Sequence, residues 1–259
     1  MLRLFLITTL ALTLAACGSM RHSDTLAIDR SVEAQAHNNR IHAVVLHYTA
    51  ADKATSFKVL TGTAVSSHYL ITDDDPPVIY QLVDEQQRAW HAGAGEWYGR
   101  NDINTSSIGI EIVHPGKKNE QWVDYNQAQI DQVVLLLKDI LSRYDIAPEN
   151  VVGHSDIAPQ RKLDPGPKFP WKTLAHAGIG RWFSEQAVTR ALEDYEKEGV
   201  PDIEWAQKKL KRLGYGIPQT GKLDKATHNV IAAFQMHYRP HKVDGKLDAE
   251  TAAIIEALS

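Results

Sequence analysis

From Ile41 onward, short apolar runs alternate with longer amphipathic stretches. The runs at 42–48, 67–72, 78–82, 107–113 and 150–154 are rich in Val, Ile, Leu and Tyr, which predicts strands. Asp73-Asp74-Asp75-Pro76-Pro77 supplies a turn between the second and third, so these two form a hairpin. Ile130, Val133, Val134, Leu137, Ile140, Leu141 and Tyr144 recur at helical spacing and predict a helix from about Asn126 to Tyr144, ending before Pro148. Strands interleaved with helices in this way predict an α/β domain, a mixed central sheet flanked by helices. Beyond residue 200 the pattern changes to an internal repeat: Gly221-Lys222-Leu223-Asp224-Lys225-Ala226-Thr227 returns as Gly245-Lys246-Leu247-Asp248-Ala249-Glu250-Thr251. Each copy offers an aspartate able to cap a helix N-terminus. Three short helices near 203–213, 224–237 and 248–258 follow, a small all-α domain with Leu210, Leu213, Val230, Phe234, Ile254 and Leu258 as core.

The N-terminus is a different kind of sequence. Arg3 precedes an apolar run from Leu4 to Ala16 that is too short for a stable membrane anchor and ends in small residues, as a signal peptide does. Leu14-Ala15-Ala16-Cys17 resembles a bacterial lipobox, which implies cleavage before Cys17 and its lipidation, palmitate included. Gly18 stands where an inner-membrane retention signal has aspartate. The resemblance therefore implies a lipoprotein of the outer membrane of a Gram-negative host, facing the periplasm. Cys17 is the only cysteine, which excludes an intrachain disulfide. A net charge of −4 gives no footprint for nucleic acid. The expected organisation is a signal peptide at 1–16, a lipidated N-terminus and polar tether at 17–38, the α/β domain at 39–178, a linker with a charged helix at 179–200 and the helical domain at 201–259.

The candidate chemistry lies at the ends of the predicted strands. His154 follows Val151-Val152-Gly153, and Pro159, Pro165 and Gly166 fix the loop behind it, so that Asp164 can return to the same point. His47 closes the run 42–48. His47, His154 and Asp164 make a three-ligand set of the kind that leaves a fourth position for water. A histidine at a strand end is more often a hydrogen-bonded structural residue, and ligands so far apart carry no local signature. Glu111 interrupts Ile108-Gly109-Ile110-Glu111-Ile112-Val113; burying a carboxylate there requires a partner, a cavity or water. His68 opens the hairpin and reads as a supporting residue. Trp90 and His91 sit in the loop 83–106 and read as groups that touch substrate, since loops on a rigid scaffold carry binding residues.

Five ordered segments resemble one family: Val44-Val45-Leu46-His47-Tyr48-Thr49, Ser67-His68-Tyr69-Leu70-Ile71, Arg88-Ala89-Trp90-His91-Ala92-Gly93, Ile108-Gly109-Ile110-Glu111, and Gly153-His154-Ser155-Asp156-Ile157-Ala158-Pro159 through Lys162-Leu163-Asp164-Pro165-Gly166. Together they are similar to the zinc-dependent N-acetylmuramoyl-L-alanine amidases of type 2, relatives of phage amidase lysozymes and peptidoglycan recognition proteins. The resemblance implies a Zn2+ site on His47, His154 and Asp164 at one end of the sheet. It implies hydrolysis of the amide between N-acetylmuramic acid and L-alanine, Glu111 as general base and Lys162 as the group that stabilises the oxyanion. Many relatives have tyrosine just before the residue matching His68, where this chain has Ser67, so proton transfer falls to Glu111 as in the lipoprotein branch. The C-terminal repeat, with Gln207, Leu213-Gly214-Tyr215 and Ala233-Phe234-Gln235, resembles a type 1 peptidoglycan-binding domain, expected to tether the enzyme without contributing to the site. The implied partners are peptidoglycan and its muropeptides, and the membrane through Cys17, with the chain acting as a monomer. A peptidoglycan receptor without catalysis on the same fold is the alternative; it should lack a ligand or the catalytic pair, and all five residues are present. A stem-peptide peptidase using the same ion remains open on residues alone.

Overall fold

Ala43-Val44-Val45-Leu46 is apolar on both faces, as a strand covered on both sides of a parallel sheet must be. In the computed structural model, which describes residues 29–259, it becomes an inner strand of a five-stranded sheet. The signal peptide, Cys17 and the first part of the tether lie outside the described residues. Residues 29–38 carry no helix or strand, and 39–259 form a separate compact unit.

In chain order the elements are β1 (Ala43–Tyr48), α1 (Lys53–Leu60), β2 (Tyr69–Ile71), β3 (Ile79–Gln81), α2 (Ile103–Ser106), β4 (Ser107–Ile112), the small hairpin β5 (Lys117–Lys118) and β6 (Gln121–Trp122), and α3 (Gln127–Arg143). After one 3-10 turn come β7 (Val151–Gly153), α4 (His154–Ile157), α5 (Trp171–His176), α6 (Glu185–Glu198), α7 (Ile203–Arg212), α8 (Lys225–Tyr238) and α9 (Ala249–Leu258). The sheet order is β3-β2-β4-β1-β7, antiparallel between β2 and β3 and parallel elsewhere. The mixed sheet and flanking helices are those the apolar pattern predicts. Among the described residues no helix is long and apolar enough to cross a membrane.

Each face of the sheet meets a different partner. Val44, Leu46, Ile108, Ile110 and Ile112 pack with Ile130, Val133, Leu137 and Ile140 of α3. The Asn126 side chain caps α3 by accepting from the Ala128 N–H at 2.8 Å. On the other face Val45 and Val152 join Ile157, Ala158, Trp97 and Ile103 in a cluster that also holds Leu210, Leu213, Tyr215, Ile217, Val230, Phe234 and Ile255. The C-terminal helices thus share apolar core with the sheet. The stretch read as a linker carries α6, which lies along α9.

The repeat beyond residue 200 has a structural unit behind it, a buried glutamine bonded into the loop that follows its helix. Gln207 Nε2 donates to Lys222 O and Thr227 Oγ1, and its Oε1 accepts from the Gly221 N–H. Gln235 repeats this with Lys246 O, Thr251 Oγ1 and the Gly245 N–H. Asp224 and Asp248 cap the next helices through Thr227 N and Thr251 N.

Candidate active site

Parallel pairing brings the carboxyl ends of β1, β4 and β7 side by side, where open α/β sheets place their ligands. His47 pairs with Glu111 in register, and Leu46 with Gly153, so His154 emerges next to His47. Ser155 N donates to Asp164 O at 2.8 Å, which folds the Pro-containing loop back onto the start of α4. The result is a buried cluster. His47 Nδ1 lies 2.9 Å from His154 Nδ1, and each is 3.0 Å from Asp164 Oδ2. One donor atom from each of the three falls within 4.8 Å of the others.

The chemistry of this set suits a metal ion. Burial, and next the neighbouring His154, bring His47 down to about 4, which keeps its ring neutral and able to donate a lone pair. Burial alone would raise Asp164, but hydrogen bonds from His154 and His47 outweigh it and hold the carboxyl well below the usual range. Two imidazoles and a carboxylate, with an open side toward a cavity, are a donor set able to hold a metal ion.

Both histidines point Nδ1 into the cluster and have Nε2 fixed from behind. His47 Nε2 lies 3.1 Å from His91 Nδ1, and His91 Nε2 lies 3.3 Å from Ser107 Oγ, which donates to Ile103 O. With Nδ1 of His47 on an ion, its Nε2–H donates to His91 and His91 donates to Ser107, a consistent set of tautomers. His154 Nε2 lies 2.9 Å from Ala92 O, and Arg161 packs on the same turn, with Nε donating to Ala94 O at 2.8 Å. Asn104 Oδ1 holds the turn by accepting from the N–H groups of His91 and Ala92. Gly109 is needed for close approach: a Cβ there would lie 2.4 Å from the His91 ring.

The cluster opens on a cavity of about 380 Å³ lined by Tyr48, Ser66, Trp90, Glu111, Arg161 and Lys162, among others. Glu111 Oε2 is enclosed and has no hydrogen-bond partner. Burial, and then the Asp164 charge, push its carboxyl up to about 8, against a smaller pull from Lys162. Coordination that neutralises Asp164 weakens the second cause, so loading the site favours the ionised carboxylate.

His154, Asp164, Glu111 and Lys162, singled out in the sequence, line this one cavity, and the buried His47 joins them through the donor set. Trp90 is half exposed on its wall. His91, expected to touch substrate, lines the same cavity, with its ring nitrogens engaged by His47 and Ser107. His68, expected as support, accepts from the Gly109 N–H through Nδ1 at 3.0 Å, and its ring meets His91 edge to face. Sequence reasoning missed Ser107, Asn104 and Arg161. The small size of Gly109 between two isoleucines is the available signal, since a glycine inside a strand marks a close approach.

Comparison with known proteins agrees with this geometry. The Amidase_2 family, N-acetylmuramoyl-L-alanine amidase, matches residues 37–167, and the PG_binding_1 family of peptidoglycan binding domains matches 199–255. The N-acetylmuramoyl-L-alanine amidase AmiD of Escherichia coli K12 is 43% identical over 270 residues, covering 100% of this chain and 98% of that protein. The crystal structure of AmpDh3 from Pseudomonas aeruginosa superposes with a TM-score of 0.85 at 43% identity, over 90% of this chain and 97% of that one. AmiD from E. coli, in complex with the substrate anhydro-N-acetylmuramic acid-L-Ala-D-gamma-Glu-L-Lys, superposes with a TM-score of 0.83 at 42% identity, over 92% and 95%.

Proposed function

This chain belongs to the N-acetylmuramoyl-L-alanine amidase family, and we propose that it hydrolyses the amide between N-acetylmuramic acid and L-alanine in peptidoglycan fragments, with zinc on His47, His154 and Asp164. The observation that carries this reading is the buried His-His-Asp set on the floor of the cavity that also holds Glu111 and Lys162. Two imidazoles and one carboxylate match zinc's preference for nitrogen and a single oxygen. Zinc bound there supplies Lewis acidity toward the scissile carbonyl and toward water. Glu111, enclosed and without a partner, takes the proton of the attacking water and returns it to the departing L-alanine nitrogen. Lys162 offsets the charge that develops on the carbonyl oxygen. His91, Ser107 and the Ala92 carbonyl hold the two histidines in the tautomer that presents Nδ1.

The substrate named for the E. coli AmiD complex is the direct probe. Purified protein with bound metal quantified, incubated with anhydro-N-acetylmuramic acid-L-Ala-D-gamma-Glu-L-Lys, should release the anhydro sugar and the intact tripeptide, as read by mass spectrometry. Removal of metal by a chelator should stop it, and zinc should restore it. Cleavage within the peptide would assign a peptidase instead; binding without turnover in the zinc-loaded protein would assign a receptor.

The sequence Leu14-Ala15-Ala16-Cys17-Gly18 supports a lipid anchor in the outer membrane, facing the periplasm. Cys17→Ala should leave the protein outside the membrane fraction. Unchanged membrane association of that variant would mean that the apolar N-terminus itself is retained.

A further inference from the structure

Asp156 is a buried carboxylate two residues beyond the ligand His154, and neither the donor set nor the cavity uses it. Its partners come from far along the chain. Oδ2 accepts from the Gly153 N–H at 2.8 Å, tying the end of β7 to α4. The same oxygen accepts from His237 Nδ1 at 2.8 Å, and Oδ1 accepts from the Tyr215 hydroxyl at 2.8 Å. His237 stands on α8 and Tyr215 just beyond α7, so two of the three donors belong to the C-terminal helices. Both are fixed in place. The His237 ring stacks 3.8 Å from Trp171 of α5, and Tyr215 meets Trp97 edge to face at 5.1 Å. Around this core the two parts are joined again: Gln160 Nε2 donates to Ala226 O, Asn229 Nδ2 donates to Gln160 Oε1, and Tyr98 N donates to Gly214 O.

Four-residue α4 has too few internal hydrogen bonds to set its own direction. A buried carboxylate must have its charge met, and the groups that meet it decide where the segment sits. We propose that Tyr215 and His237 are positioning residues for the reaction: by holding Asp156 they fix the turn Gly153–Ile157, and through it the place of His154 and of Asp164, whose carbonyl accepts from Ser155. The C-terminal helices thereby complete the metal site in addition to any contact with the cell wall. This rests on the metal reading given above.

The test uses the full chain. Tyr215→Phe removes one hydroxyl, His237→Phe keeps a ring in the stack but removes the donor, and His237→Asn restores a donor near Nδ1. Ile255→Val, in the same apolar cluster but on α9 and with no bond to Asp156, is the control for general destabilisation. Three readouts are taken: zinc affinity by competition with a chromophoric chelator, kcat and KM on the anhydromuramyl tripeptide, and amide hydrogen exchange of residues 153–164 in metal-free protein. Tyr215→Phe and His237→Phe should weaken zinc binding by roughly 10- to 100-fold, the scale for groups that orient a ligand. They should lower kcat with KM nearly unchanged and speed exchange in 153–164. His237→Asn should recover most of each effect, and Ile255→Val should show none. Wild-type zinc affinity, kcat and protection in both Phe variants would overturn the proposal, as would equal losses in Ile255→Val. A wild-type protein that binds no metal would sink the metal reading instead, while the exchange measurement would still decide whether Tyr215 and His237 order the turn.

Discussion

Replacing Glu85 by Gln tests how the loop that carries Trp90 and His91 is held. Glu85 stands at the start of that loop and is buried, with its carboxylate aimed at α3 and β2. Oε1 accepts from the Tyr69 hydroxyl at 2.6 Å and from Arg143 Nη2 at 2.9 Å; Oε2 accepts from the Tyr144 hydroxyl at 2.8 Å and from Arg143 Nη1. Burial alone would raise this carboxyl, but the bonds from Arg143, Tyr69 and Tyr144 together outweigh it and hold it at about 2, against an ordinary 4.5. A carboxyl depressed in the folded state adds stability that is present above its unfolded value and is lost as pH falls through the folded one. The full difference corresponds to about 3 kcal/mol. Arg143 is 39% exposed and solvent screens its share, so about 1–2 kcal/mol is the expected cost of Glu85→Gln at pH 7. Urea unfolding of both proteins from pH 7 to pH 3 measures it. The gap between them should be constant down to about pH 5, narrow through the unfolded value near 4.5, and continue to close toward pH 3. A gap that stays constant to pH 3, or one below about 0.3 kcal/mol at pH 7, would refute the assignment of the charge as the source of the anchoring.

Glu111→Gln and Lys162→Ala should each keep bound zinc and lose on the order of 10²-fold or more in kcat on the anhydromuramyl tripeptide; near-normal turnover in Glu111→Gln would move the base elsewhere. Gly109→Ala puts a Cβ 2.4 Å from the His91 ring and should displace His91 from His47, weakening zinc binding by roughly 10-fold or more at unchanged sheet content, as read by metal competition and circular dichroism. A chain ending at Glu198 should bind a hydrophobic dye and unfold at lower temperature than the full chain, because it uncovers Val45, Trp97, Ile157 and Ala158. A dye-negative truncation of unchanged Tm would show that the shared cluster contributes nothing to the sheet.

The sheet and α3 were legible because their signals are local. Each strand is a bounded run of strand formers, and Ile130, Val133, Leu137 and Ile140 repeat with the period of the helix that buries them. The three C-terminal helices were legible for the same reason, with aspartate caps as punctuation. His47 and His154 could be placed at strand ends, but their adjacency depends on β1 lying between β4 and β7, and no periodicity encodes strand order. What covers an apolar stripe is equally silent. Leu213 and Val230 read as the core of a separate helical domain, yet they also pack in one cluster with Val45 and Ile157. A stripe requires a partner without naming it, and the helices that the repeat predicts share core with the sheet. His91 reads as a loop residue that touches substrate, and it lines the cavity; its contact with His47 depends on the close approach that Gly109 permits and could not be read from the loop itself.

Glu111 shows why the chemistry and the stability of this fold pull in opposite directions. On an inner strand between Ile110 and Ile112, a β-branched apolar residue would suit both the backbone and the burial. The chain instead places a carboxyl whose Oε2 is enclosed with no partner, a deficit of about 1–3 kcal/mol for a buried polar group. Elsewhere the same chain meets its buried carboxylates in full: Glu85 by one arginine and two tyrosines, Asp156 by a backbone N–H, a tyrosine and a histidine. The contrast is local and chemical. Glu85 and Asp156 are bonded because they hold segments in place, and a fully bonded carboxylate is a poor base. Glu111 is left unbonded beside the donor set, where the same deficit that weakens the fold keeps its carboxyl near 8 and free to exchange a proton with whatever enters the cavity. Consistency between sequence and fold fails here and at few other places among the described residues, which is where function is expected to override stability.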